Sequence, residues 1–260
     1  MIITFANFKG GVGKTTTTAL FSYLLSNNYK VLAIDTDPQC NLTETLVLTY
    51  HKEDELIEEK NIYNALFTDE GIRNNIQSLN ENLDLLAGSW DMINFELEAN
   101  RQYYKEAQLN ILKKYLYNIK DDYDFVLIDT APTTSLIMDN VIMATDRVII
   151  TTQTLKMAYA STQKYYNYLL DRYRNPNYNF ELLGVLPYLV GRSATDKRTL
   201  LNYQDIFEDE LFENSIKQSD RVKSWSDFGI TNDQPYDKMT LEMYQNVVNE
   251  ALSRLGKVVN

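Results

Sequence analysis

The chain has 260 residues, 44% of them hydrophobic and only 9 Gly and 5 Pro, which excludes a disordered or fibrous class and leaves room for a substantial core. Its single cysteine, Cys40, excludes an intrachain disulfide and a metal cluster held by the chain's own thiolates, and fits a reducing, cytoplasmic compartment. A formal net charge of -11 repels phosphates on average, so a nucleic-acid contact needs a local basic patch.

In chain order, strand and helix patterns alternate. "IITFAN" (2–7) is a short apolar run ending at a glycine-rich loop, and "TTTTALFSYLLSN" (15–27) carries Ala19, Leu20, Tyr23 and Leu24 at helical spacing. "KVLAID" (30–35) and "LDLLAG" (83–88) read as buried strands, with 44–80 between them as helix-rich connections. "QYYKEAQLNILKKYLYNI" (102–119) has the period of one long amphipathic helix. "YDFVLIDTAP" (123–132), "DRVIITTQ" (146–153) and "FELLGVLPYLV" (180–190) are further strands, with helices near 136–144, 158–173, 197–212 and 238–257. Continuous apolar strands separated by helices predict an α/β fold with a doubly wound, mostly parallel sheet. With no linker or repeat, residues 1–260 are expected to form a single domain. No run of about 18 apolar residues predicts a membrane span, and "MIITFANFKGG" lacks the pattern of a secretory signal.

The strand at 2–7, the loop "FKGGVGKTT" and the helix after it form the context of a phosphate loop. Gly10, Gly11 and Gly13 let the backbone curl, with Val12 between them, so that successive N–H groups point at an anion. The helix starting near Lys14 adds its positive N-terminal end. The Lys14 ammonium reaches the β- and γ-phosphates, the Thr15 hydroxyl is placed to ligate Mg²⁺, and Thr16 is placed to bond the α-phosphate. Pro187 and Tyr188, directly after the "FELLGVL" run (180–186), are expected to face the adenine.

The position five before Gly13 is Phe8 rather than glycine, and Lys9 directly precedes Gly10. K-G-G-x-G-K-T-T resembles the deviant Walker A loop of the ParA/MinD-like P-loop ATPases. "VLAIDTDPQCNLT" (31–43) resembles that family's D-x-D-P-Q-x-N-x-T segment, and "FVLIDTAP" (125–132) resembles its Walker B strand and switch II. The three motifs fall in family order, and the likeness extends over most of the chain. Cys40 stands where the ParA branch usually has glycine, and Ala131 replaces the first of two prolines.

Asp35, Asp37 and Asp129 end buried strands, where carboxylates are costly without a partner. A cation with its water shell among them resolves that cost, with Asp129 and Asp35 holding Mg²⁺ through water. The resemblance implies that Asp37 positions the attacking water. It also implies that Lys9 is a signature lysine reaching across a sandwich dimer to the partner's nucleotide. On that reading the catalytic set is Lys9, Lys14 and Asp37, and the cofactors are ATP and Mg²⁺.

Two segments carry local positive charge: Arg192, Lys197 and Arg198 in "GRSATDKRTLL", and Lys217, Arg221 and Lys223 in "IKQSDRVKSW". The resemblance implies that they contribute to a nonspecific DNA surface on the ATP-bound homodimer. Together these readings predict a partitioning ATPase of plasmid or chromosome, cytoplasmic and nucleoid-associated, stimulated by a centromere-binding ParB-type adaptor. The phosphate loop begins near residue 9, so no N-terminal helix-turn-helix domain is expected. The alternative is a MinD-like membrane-cycling ATPase. It fits less well, because Leu241, Tyr244, Val248, Ala251, Leu255 and Val258 form a core-facing stripe in the last helix. A metabolic ligase on the same scaffold is a second rival, and one cysteine excludes a reductase that needs two thiolates per chain.

Overall fold

The computed structural model describes residues 1–257. Seven strands form one sheet: β1 (Ile2–Ala6), β2 (Val31–Asp35), β3 (Gln77–Ser78), β4 (Leu83–Leu86), β5 (Phe125–Asp129), β6 (Arg147–Thr152) and β7 (Glu181–Pro187). Their order is β3-β4-β2-β5-β1-β6-β7. Every pairing is parallel except β3 with β4. β1 therefore lies between β5 and β6, and the chain leaves its carboxyl end at the place where doubly wound sheets bind ligands.

The central strands are buried along their whole length, which is why they read as continuous apolar runs rather than alternating ones. On one face, Phe5, Ala33 and Leu127 pack with α1 (Lys14–Leu25), α2 (Asn41–Tyr50), α10 (Asp220–Phe228) and α11 (Pro235–Arg254). On the other, Leu32, Ile34, Val126 and Ile128 pack with α3 (Ile62–Phe67), α5 (Phe95–Gln102), α6 (Ile111–Tyr117) and α7 (Leu136–Ala144). A third cluster joins β6 and β7 to α8 (Lys156–Tyr173) and α9 (Ala194–Phe207) through Val148, Ile150, Tyr165 and Tyr203. The short α4 (Gly71–Asn75) precedes β3. Among the described residues no helix is long and apolar enough to cross a membrane.

The helix expected over 102–119 is broken. α5 stops at Gln102, Tyr103 is extended, and helical structure resumes through a 3-10 turn at Gln108–Asn110 into α6. One side chain within the segment and one from α7 fix this break. Gln108 donates to the Ala99 and Tyr103 carbonyls. Buried Asn140 accepts from Leu112 N–H and donates to the Gln108 carbonyl. These bonds satisfy the freed helix ends and outweigh the local period. Leu241, Tyr244, Val248 and Ala251 are buried as expected for a core-facing stripe; Val258 lies outside the described residues.

Candidate active site

The loop leaving β1 is anchored at its root by Asn7, which is fully buried. Its Nδ2 donates to the Thr151 carbonyl at 2.9 Å and to Thr162 Oγ1 at 3.0 Å. Its Oδ1 accepts from Lys9 N–H and from Ser161 Oγ, each at 3.0 Å. Gln153 Nε2 then donates to the Gly11 carbonyl at 2.9 Å. Gly11 and Gly13 adopt left-handed φ of 74° and 86°, the conformation that only glycine takes without strain. α1 begins directly after them with no acidic residue in its first turn and no side-chain cap on its N–H groups. Its positive end is thus left for an anion.

The Lys14 side chain is buried, and its Nζ donates to the Lys9 carbonyl at 3.2 Å. Burial lowers the Lys14 pKa, while Asp129 and then Asp37 draw it back up. Lys9 is half-buried, and among the described residues it makes no ion pair.

Asp35 and Asp129 face each other in register across β2 and β5, and both are fully buried. Their surroundings differ. Asp35 accepts from Asp37 N–H at 3.1 Å and from Thr43 N–H and Oγ1, each at 2.9 Å. Neither Asp129 oxygen has a hydrogen-bond partner among the described residues. Burial pushes Asp35 up to about 6, against the pull of the Thr43 and Asp37 donors. Burial, and then repulsion from Asp35, pushes Asp129 up to about 8, with Thr15 and Lys14 drawing it down. The three donors hold the negative charge on Asp35, so Asp129 takes the proton when the pair shares one. Two orphaned carboxylate oxygens beside a threonine hydroxyl and an ammonium fit a hard cation that keeps most of its water. No cluster of three metal-ligating side chains occurs among the described residues.

Asp37 is 9% exposed, and its Oδ1 accepts from Gln39 N–H at 2.9 Å in the turn that leads to α2. Cys40 has a left-handed φ of 56°, which explains the glycine preferred there in the family pattern. Burial, followed by Asp35 and Asp37, pushes its thiol up to about 12, so it stays protonated and unreactive. Pro132, after β5, is exposed and lies over the loop; a Cβ on Gly10 would stand 3.9 Å from its Cγ.

One expectation is corrected. Pro187 is buried at the end of β7, and Tyr188 is 5% exposed, with its ring packed against Gly13. Tyr188 presents no open face for an adenine, because the strand end directs it beneath the phosphate loop.

The basic residues divide into two groups. Arg192, Lys217 and Arg221 line one groove of about 890 Å³ together with the acidic Glu213, Asp220 and Glu242, and the bridge between Val190 and Lys217 draws their segments together. Lys197, Arg198 and Lys223 are exposed on α9 and α10. Arg221 also has an acidic partner: its Nε lies 3.1 Å from Oδ1 of Asp237, which is fully buried. Arg221 thus lines the groove and also serves as the counter-ion that ties α10 to α11. Arg221→Ala is expected to cost about 1–3 kcal/mol in urea unfolding, less than a fully buried pair because the guanidinium is partly screened. Lys217→Ala is expected to change stability by no more than about 0.5 kcal/mol. Equal stability of the two variants would contradict the division.

Asn7, Thr43 and Gln153 were not singled out from sequence. Thr43 carries a signal, since it closes the D-x-D-P-Q-x-N-x-T segment. Gln153 carries none, because it meets Gly11 from 142 residues away.

A family model described as "AAA domain" matches residues 1–182. Sporulation initiation inhibitor protein Soj of Bacillus subtilis is 30% identical over 229 residues, covering 85% of each chain. The structure of a putative plasmid partition protein from Borrelia burgdorferi bound to AMPPNP has 26% identity and a TM-score of 0.81, covering 97% of this chain and 98% of that one. Cobyrinic acid a,c-diamide synthase from Mycobacterium smegmatis, with bound ADP and magnesium, has 23% identity and a TM-score of 0.76, covering 98% and 96%; this likeness is one of fold.

Proposed function

The chain belongs to the AAA-domain family and, within it, to the ParA/Soj-type ATPases, and from that premise we propose that it is a single-domain partitioning switch driven by ATP. The observation that carries this reading is the buried, unpartnered Asp129 carboxylate beside Lys14 and Thr15 at the phosphate loop. The N–H groups of Gly10–Thr16 cradle the phosphates, and Lys14 neutralises charge on the transferred group. Thr15, with Asp35 and Asp129 through water, would hold Mg²⁺, which when bound supplies charge neutralisation at the phosphates. Asp37 positions the attacking water, its carboxylate held at the end of β2 by the following turn. Lys9 crosses to the nucleotide of a second copy, which makes hydrolysis depend on protein concentration.

The groove lined by Arg192, Lys217 and Arg221, with the exposed Lys197, Arg198 and Lys223, is the surface for nonspecific DNA. Dimerisation doubles this patch on a chain whose overall charge of -11 otherwise repels DNA. A ParB-type adaptor then stimulates hydrolysis and release, and the protein cycles on and off the nucleoid.

The test is ATP turnover across protein concentration, with and without DNA, beside co-sedimentation with DNA or liposomes. Turnover should rise more than linearly with protein concentration. If a dimer makes about six phosphate contacts, the logarithm of DNA affinity should fall with that of salt with a slope of about −5. Retention on liposomes rather than DNA would replace this reading with a membrane-cycling one. Turnover that requires a small substrate would replace it with a ligase.

A further inference from the structure

β7 ends at Pro187, and the turn that follows is clamped on both sides. Tyr188 N–H donates to the Thr152 carbonyl at 2.6 Å, and the Pro187 carbonyl accepts from Ile216 N–H at 2.9 Å. Val190 N–H donates to the Ile216 carbonyl at 2.9 Å. Between these bonds Leu189 is held at a left-handed φ of 51°, a costly conformation for a residue with a Cβ. The Tyr188 ring therefore has one place to go, and that place is against Gly13. A Cβ on Gly13 would lie 2.5 Å from three carbons of the ring, whereas one on Gly11, also left-handed, would meet nothing within 4 Å.

Gly13 is thus required for two reasons, its backbone conformation and the ring beneath it. Further support stands behind the ring. Burial raises the Tyr188 phenol, and the Thr16 side chain offsets part of that rise. Tyr244 of α11 is fully buried, and its neighbours are Tyr188 and Thr17. Tyr188 fills the space between the last glycine of the loop, the first turn of α1 and α11. A glycine-rich loop has many backbone alternatives of similar energy. An anion cradle works only when its N–H groups converge, so something must select one of those alternatives.

We propose that Tyr188 is a positioning residue: its ring sets the curl at Gly13 and so aims Lys14 and the first N–H groups of α1 at a bound phosphate. It touches no reacting atom and acts through Gly13. This inference rests on the nucleotide reading above.

The test compares the wild type with Tyr188→Phe, Tyr188→Leu and Tyr188→Ala, and with Gly13→Ala alone and combined with Tyr188→Ala. Two readouts are used: the Kd of a fluorescent ATP analogue, and hydrogen exchange of residues 7–18 in the ligand-free protein. Tyr188→Phe keeps the ring and should stay within about threefold of the wild-type Kd. Tyr188→Ala should weaken binding about 10- to 100-fold and speed loop exchange about tenfold. Tyr188→Leu should fall between them and serves if the alanine variant does not fold. Gly13→Ala should cost about tenfold less when Tyr188 is already alanine, because the clash is gone. A folded Tyr188→Ala with wild-type Kd and loop exchange overturns the proposal, as do Gly13 and Tyr188 effects that simply multiply. If the wild type binds no nucleotide but Tyr188→Ala still loosens the loop, the brace stands and the nucleotide reading fails.

Discussion

Asp129→Asn is expected to reduce magnesium-supported hydrolysis by about 10³-fold or more while making the ligand-free protein more stable at pH 8. The two effects share one cause. Asp129 is fully buried with neither oxygen hydrogen-bonded among the described residues, and its pKa is pushed up to about 8 by burial and then by Asp35. In the unfolded chain an aspartate titrates near its ordinary value of about 3.9. Between those two values the folded state holds a proton that the unfolded state has released. Stability therefore falls as pH rises from about 4 to 8 and levels off above that. Asp35, pushed up to about 6, contributes with the same sign over the lower part of the window. Asparagine removes the titration at position 129. The variant should gain about 1–3 kcal/mol at pH 8 and little at pH 4 to 5. Urea unfolding at pH 5 and pH 8 checks this, beside steady-state turnover with and without magnesium. The same linkage predicts that magnesium–nucleotide affinity rises between pH 6 and 8, with proton release seen by calorimetry in two buffers. A wild type whose stability is flat across this range, or a fully active Asp129→Asn, would remove the assignment.

The second large effect is expected from Lys9→Ala, in which nucleotide binding survives and cooperative hydrolysis does not. The Lys9 side chain makes no ion pair among the described residues, while its backbone carbonyl accepts from Lys14 Nζ and its N–H donates to Asn7. Alanine keeps both backbone bonds, so the loop and the chain's own phosphate contacts should persist. What is lost is a charge for a second copy's nucleotide. A charge supplied in trans is worth roughly 10³–10⁵ in rate where it is an arginine. A lysine lacks the bidentate fork, so a loss of about 10²–10³ is expected. The variant's specific activity should also be independent of protein concentration. Single-turnover rates at low and high protein, with sedimentation in ATP, read both features. A variant that associates with ATP and turns over like the wild type would show that the second lysine has no such role.

What could be read before folding was chemistry carried by neighbours in sequence. The loop from Lys9 to Thr16 holds its glycines, lysines and threonines in one short stretch, and strand, loop and helix follow one another without interruption. Asp35 and Asp129 were legible because each ends a run of apolar residues, and a charge there needs a purpose. Their different characters were not legible. Thr43 and Asp37 donate to Asp35, whereas neither Asp129 oxygen has a hydrogen-bond partner among the described residues, which only the three-dimensional arrangement decides.

The remaining differences have the same physical origin. Helical periodicity over 102–119 is a local preference of a few tenths of a kcal/mol per residue, and it yielded to the Gln108 and Asn140 side chains that satisfy the broken ends. Charge clustering placed Arg221 among the basic residues of the groove, but it could not show that the fully buried Asp237 takes the same arginine as its counter-ion. Strand order placed Tyr188 near the nucleotide, but the clamped turn after β7 directs its ring beneath Gly13. By itself the sequence determined the buried parallel strands, the phosphate loop and the identity of the carboxylates, because burial pattern and loop chemistry are short-range properties; the short edge strand β3, inside the stretch read as helix-rich connections, was not legible. Tertiary structure decided which carboxylate holds the proton, which carboxylate pairs with Arg221 and what braces the loop, because each depends on partners far away in the chain.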